Sequence, residues 1–133
     1  MATILLVDDE APLRRLLEEC LDGQGFEVLS AVDGEEALVL AAERAPDVVL
    51  CDIQMPMLGG VEFLTRFHAS QPRIPVVIMS GFLTEEVIDE SLRHGAEDVL
   101  NKPFRKNQLL DVIDRSLAKY RRINGLMKGS GAG

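Results

Sequence analysis

Cysteine is scarce in this chain: Cys20 and Cys51 are the only two among 133 residues. They lie far apart, without metal-ligand spacing, so the sequence indicates neither a disulfide framework nor a zinc site. In a reducing compartment both read as small buried hydrophobes. Long apolar runs are also missing. The longest, such as Thr3–Val7, are strand-length, and none approaches the roughly 18–20 residues of a membrane span. The amino terminus passes from Ile4-Leu5-Leu6-Val7 straight into acidic residues. With no basic leader and no small-residue cleavage site, no signal peptide is expected, and the expected location is cytoplasmic. No Gly-x-Gly-x-x-Gly follows the first apolar run and no Walker-type Gly-Lys-Ser occurs, so nucleotide binding gains no support. Cations are the minority charge, 14 against 22 anions for a net charge of −8. Residues 1–104 hold 7 cations and 20 anions, whereas residues 105–133 hold 7 and 2. An acidic body repels nucleic-acid phosphates, so no direct DNA contact is expected of it. The basic end reads as a solvated charged helix.

What is present is the balance of one globular domain, 47% hydrophobic and 27% charged. Apolar runs alternate with helical periods. Thr3–Val7 is a continuous apolar run, the pattern of a strand buried on both faces. Leu13, Leu16, Leu17, Cys20 and Leu21 then lay a stripe along a helix, with Pro12 in its first turn. Glu27–Ala31 reads as a second strand. A helix starts at Asp33-Gly34-Glu35-Glu36, resembling a capping box, and runs to about Arg44. Residues 47–51 form a third strand, Gly59-Gly60 open a helix carrying Phe63, Leu64 and Phe67, and residues 75–79 form a fourth strand. Thr84 caps a short helix stopped by Gly95, residues 97–100 are a fifth strand, and a last helix spans about 105–122. This alternation predicts right-handed crossovers and a parallel sheet covered on both faces. The stretch 123–133, with four glycines and a serine, is expected to be a flexible tail, a linker or a cloning scar.

In an open parallel sheet, ligands bind beyond the carboxyl ends of the strands. Asp8, Asp9 and Glu10 follow the first strand and Asp52 the third. Ser80 and Gly81 follow the fourth, and Asn101, Lys102 and Pro103 the fifth. Clustered carboxylates resist ionising together unless a cation bridges them. An oxygen-only set without His or Cys selects a hard ion, Mg²⁺ first. Asp8 and Asp9 could instead simply cap the first helix. The pairing with Asp52 and Lys102 argues against that, because a lysine between a buried strand and a proline is poorly placed as a solvated surface charge. A carboxylate, a hard cation, a lysine and a hydroxyl are the parts of a phosphoryl-transfer site.

The segments Ile4-Leu5-Leu6-Val7-Asp8-Asp9-Glu10, Val48-Val49-Leu50-Cys51-Asp52-Ile53-Gln54-Met55-Pro56, Val76-Val77-Ile78-Met79-Ser80-Gly81 and Leu100-Asn101-Lys102-Pro103-Phe104 resemble the receiver domain of a bacterial two-component response regulator. The resemblance covers about residues 2–122. It implies a flavodoxin-like α/β fold, three layers deep, with strand order 2-1-3-4-5. It implies Asp52 as phospho-acceptor and Mg²⁺ held by Asp9, by Asp8 mainly through water, by Asp52 and by the Gln54 backbone carbonyl. Ser80 would hydrogen-bond the phosphoryl group, Lys102 would pair with it, and the Lys102–Pro103 bond would be cis. Such a domain catalyses only its own phosphorylation and dephosphorylation. Implied partners are a sensor histidine kinase or phosphotransfer protein and a homodimer through the face of the fourth helix, fifth strand and fifth helix. Val99 stands where the family usually places Tyr or Phe as a rotamer switch. A stiff β-branched side chain cannot swing a ring, so coupling is expected through the Ser80 loop.

Three other readings fit less well. A haloacid-dehalogenase-type phosphatase places its nucleophile after the first strand in an Asp-x-Asp pattern, whereas Asp8 and Asp9 are adjacent. A flavin module needs a hydroxyl-rich phosphate loop where Asp8-Asp9-Glu10 stands. A receiver used only for protein contacts would not need the full site set. His68 and His94, near helix ends and without partners in the pattern, read as surface histidines. The clean start at Met1 suits a stand-alone receiver or the amino-terminal piece of a longer regulator.

Overall fold

A computed structural model describes residues 2–54 and 59–132, with side-chain surroundings through Tyr120. Its elements are β1 (Thr3–Val7), α1 (Ala11–Gly23), β2 (Glu27–Ala31), α2 (Gly34–Glu43), β3 (Val48–Asp52), α3 (Gly60–Ser70), β4 (Val76–Ser80), α4 (Glu85–Arg93), β5 (Asp98–Asn101) and α5 (Lys106–Ala132). The strands form one sheet in the order β2-β1-β3-β4-β5, and every pairing is parallel. This is the flavodoxin-like arrangement expected.

Side-chain alternation divides each apolar run between two cores. Ile4, Leu6, Leu50, Val77 and Met79 point to the side covered by Leu17 and Leu21 of α1 and Leu109, Ile113 and Leu117 of α5. Leu5, Val7, Val49, Cys51 and Ile78 point to the other, under Ala37 and Ala41 of α2 and Phe63, Leu64 and Phe67 of α3. Each fully buried Leu, Ile or Phe contributes roughly 1.5–3 kcal/mol, so the central strands are the most firmly held part of the sheet. Two helix starts follow their sequence signals. The Asp33 carboxylate accepts the Glu36 N–H at 2.9 Å and the Thr84 hydroxyl accepts the Val87 N–H at 3.2 Å. Ser91 is the one fully buried residue of α4.

Several elements differ from the sequence expectation. β3, β4 and β5 each end one residue later, at Asp52, Ser80 and Asn101. A polar side chain at a strand end leaves the main-chain ladder intact: Ile53 N–H still donates to Met79 O at 3.0 Å and Lys102 N–H to Ser80 O at 2.8 Å. The α1 stripe is narrower than its spacing suggests. Leu17 and Leu21 are buried and Leu13 is half-buried, but Leu16 is 63% exposed and Cys20 only half-buried. Leu16 and Cys20 border an open groove, with Phe104 and Leu109 also lining it, instead of packing into the core. His68 is half-buried rather than solvated, because Gly95, at φ +108°, brings its backbone against the imidazole. Finally, α5 continues to Ala132, past the end expected near Arg122 and through Gly125. A glycine inside a helix costs about 1 kcal/mol, which does not by itself stop one. The Met55-Pro56 motif and Met57 lie outside the described residues, whereas Met79 is fully buried in the core.

Candidate functional site

At the carboxyl edge of the sheet, β1 and β3 lie side by side in the register Val7↔Cys51, so the residues that follow, Asp8 and Asp52, emerge together. Both carboxylates are buried, while Asp9 is exposed. Each buried carboxylate is shared between a backbone amide and one lysine. Asp8 Oδ1 accepts the Glu10 N–H at 2.9 Å, and Asp52 Oδ1 accepts the Gln54 N–H at 3.0 Å. Lys102 Nζ donates to Asp8 Oδ2 at 3.2 Å and to Asp52 Oδ2 at 3.0 Å.

Lys102 reaches this position because its own backbone is pinned. Its N–H bonds to the carbonyl of Ser80 at the end of β4, and the peptide bond to Pro103 is cis. Arg14, one turn into α1, donates through Nη1 to the Asp8 carbonyl at 2.8 Å and secures the β1–α1 turn from the other side. Nothing in the sequence pattern singled out Arg14. A cation six residues after an acidic turn is ordinary on a helix surface, and only the tertiary path of α1 aims it back.

The electrostatics follow from burial and from this sharing. Burial pushes the Asp8 carboxyl above its ordinary value, and the nearby Asp52 charge adds to that. The Glu10 amide and Lys102 pull the other way without cancelling it. Burial alone would weaken the charge on Lys102, but Asp52 and Asp8 more than offset it, so its ammonium is held above the ordinary lysine range. Burial, with the Asp52 and Asp8 charges behind it, pushes the Cys51 thiol well up, so this sulfur stays protonated and unreactive.

One carboxylate oxygen each from Asp8, Asp9 and Asp52 lies within 4.8 Å of the other two. Three carboxylate oxygens with no nitrogen or sulfur fit a hard divalent cation such as Mg²⁺. Ser80, almost fully buried, accepts the Phe82 N–H through Oγ at 3.0 Å, which leaves its own proton available to a second acceptor. Phe82 is 73% exposed at the mouth of this edge. Val99 is half-buried on β5, opposite Ile78 of β4.

The model of the response regulator receiver domain family matches residues 4–114. The chain belongs to that family. Among curated proteins, this receiver is 41% identical over 114 residues to the regulatory protein AtoC of Escherichia coli (strain K12), covering 86% of this chain and 25% of AtoC. It is 40% identical to the transcriptional regulatory protein PrrA of Mycobacterium tuberculosis, covering 90% of this chain and 50% of PrrA. The receiver thus spans about a quarter to a half of the length of these relatives. Among solved structures it is similar to the receiver domain of NtrX from Brucella abortus, with a TM-score of 0.82, 36% identity and coverage of 86% of this chain and 98% of that one. It is also similar to the chemotaxis protein CheY4 of Vibrio cholerae, with a TM-score of 0.85, 33% identity and coverage of 88% and 99%. Mg²⁺ and phosphoaspartate are typical of receiver domains, which act in signalling and not as classical enzymes. No helix among the described residues is long and apolar enough to cross a membrane.

Proposed function

We propose that this receiver takes a phosphoryl group onto Asp52 from a sensor histidine kinase or phosphotransfer protein. The observation that carries the reading is the Lys102 ammonium spanning the buried carboxylates of Asp8 and Asp52. A purely structural lysine would not need two buried acids. With Oδ1 held by the Gln54 amide, Oδ2 of Asp52 is the nucleophile. It attacks phosphorus as the bond to the donor breaks, and the donor leaves with that electron pair. Lys102 then follows the charge from the carboxylate to the phosphoryl oxygens, and the Ser80 hydroxyl donates a hydrogen bond to one of them. Asp8, Asp9, Asp52 and the Gln54 carbonyl would hold Mg²⁺, which when bound neutralises negative charge between donor and acceptor.

The same reading keeps the domain cytoplasmic and assigns residues 1–122 to the receiver, with 123–133 beyond it. Its output surface is the face of α4, β5 and α5, through which copies pair, and the acidic body makes no direct nucleic-acid contact. Its self-directed chemistry sets it apart from an Mg²⁺-dependent phosphatase, which would release phosphate from an external substrate.

Intact-mass analysis after treatment with acetyl phosphate and Mg²⁺ tests this. One added phosphate is expected on the wild type and none on Asp52→Asn. An unchanged wild-type mass, or label that persists on the variant, overturns the assignment.

A further inference from the structure

We propose that Gly60 is a positioning residue for the phospho-acceptor. Its missing side chain lets the first turn of α3 press on the backbone of Asp52 and Ile53 and hold the end of β3 in reacting position. The inference rests on Asp52 being the acceptor, as proposed above.

The contact is one of space, since Gly60 has no left-handed backbone conformation to satisfy. A Cβ at this position would stand 2.5 Å from Ile53 Cα, 2.8 Å from the Asp52 carbonyl oxygen and 3.0 Å from the Ile53 carbonyl oxygen. All three are backbone atoms that cannot rotate away. Among the described residues, nothing lies within 4 Å of where a Cβ on Gly59, one residue earlier, would stand. The two adjacent glycines therefore have opposite requirements.

Hydrogen bonds show what the close approach secures. Ile53 is gripped from both sides: its N–H donates to Met79 O of β4 at 3.0 Å, and its carbonyl accepts the Gly60 N–H at 3.1 Å. The next residue, Gln54, gives its N–H to Asp52 Oδ1. A continuous backbone path thus runs from the start of α3 through Ile53 to the amide that orients the reacting carboxylate. The Gln54 carbonyl, assigned above to Mg²⁺, belongs to the same path.

Restoring ordinary van der Waals contact around a methyl group at position 60 needs a shift of about 0.9 Å. Either side can give way. Phe63, Leu64 and Phe67 anchor α3 in the core, with the Phe63 and Phe67 rings 5.5 Å apart and stacked. A retreat of α3 opens that packing, while a retreat of the β3 end moves Asp52. In both cases the spacing between the α3 start and the Asp52-Ile53-Gln54 turn changes. Misplacement of a reacting group by about 1 Å costs up to about a hundredfold in rate.

The experiment compares Gly60→Ala with Gly59→Ala in the full chain, with circular dichroism to confirm folding. Mg²⁺ affinity is measured by calorimetric titration and the rate of phosphate uptake from acetyl phosphate by intact mass. Gly60→Ala is expected to lose about ten- to a hundredfold in both, with Gly59→Ala matching the wild type. A Gly60→Ala variant that melts lower but keeps wild-type Mg²⁺ affinity and rate has lost only stability, and the proposal falls. A second measurement needs no variant and covers the case in which Gly60→Ala does not fold. In the wild type, adding Mg²⁺ should slow amide hydrogen exchange at Gly60 more than at Gly59; equal effects overturn the proposal. Failure of the phospho-acceptor reading looks different: the wild type takes up no phosphate while the Mg²⁺ affinities of the two variants still diverge.

Discussion

Replacing Lys102 with methionine keeps the length of the side chain and removes its charge. In the wild type the ammonium lies 3.0 Å from Asp52 and 3.2 Å from Asp8. At an effective dielectric of about 20, each pair gains about 5 kcal/mol of Coulomb energy, from which desolvation of the buried charges must be subtracted. Breaking a buried ion pair by removing one partner costs about 3–5 kcal/mol in measured cases. Here two carboxylates lose their shared partner, but solvent reaches the edge, and Asp8 can relieve the strain by taking a proton. A loss of about 3 kcal/mol at pH 7 without metal is the expected value, or about 10 °C in melting temperature for a domain of this size. The loss should shrink as pH falls towards 5, because protonating Asp8 removes one of the repelling charges. It should also shrink in Mg²⁺, which supplies the missing positive charge. Thermal melts of Lys102→Met and wild type across pH 5–8, with and without Mg²⁺, measure all three effects. A variant that melts with the wild type, or a deficit indifferent to both pH and Mg²⁺, refutes the view that Lys102 neutralises these carboxylates.

Three further expectations follow from the same site. Mg²⁺ at about a hundred times its dissociation constant should stabilise the folded wild type by about 2.7 kcal/mol, and the shift should be much smaller for Asp9→Ala; equal shifts would remove Asp9 from the metal site. Because the folded-state value of Asp8 lies above its unfolded value of 3.8, the folded protein holds that proton longer, and metal-free stability should fall as pH rises from 3.8 through the raised value. Urea unfolding between pH 4 and 7 should show that fall reduced in Asp8→Asn, and an unchanged slope counts against it. On the proposed function, with Val99 in place of a switching ring, Ser80 and Lys102 are expected to be the chief groups that hold the active state. A charged hydrogen bond contributes about 1.5–3 kcal/mol, against about 5.5 for complete reversal of a two-state equilibrium. Amide NMR of the beryllofluoride-treated monomer should therefore show a partial shift that Val99→Tyr enlarges, and complete conversion of the wild type would refute it.

Much of this protein was legible in one dimension because its signals are local. The apolar run of β1, the bounds of β2, and the Asp33 and Thr84 caps depend on neighbouring residues, and the structure places them where the pattern does. The strand order came from the family resemblance and not from periodicity, since alternating strands and helices do not rank themselves across a sheet. Among the site residues, the sequence by itself put Asp8, Asp9, Asp52, Ser80 and Lys102 at one edge, because strands that run parallel all end there.

Tertiary structure alone decided how that edge works. It buried Asp8 and left its neighbour Asp9 exposed, a distinction two adjacent identical residues cannot carry in sequence. It aimed Arg14 at the Asp8 carbonyl, left Leu16 outside and set His68 against Gly95. It also set two consecutive glycines apart, Gly59 with no described residue where its Cβ would stand and Gly60 against the β3 backbone. Each of these depends on distances between segments remote in the chain. Hydrophobic period and capping chemistry set which elements form and which way they face, but the last ångström between elements is set by how whole helices settle onto the sheet.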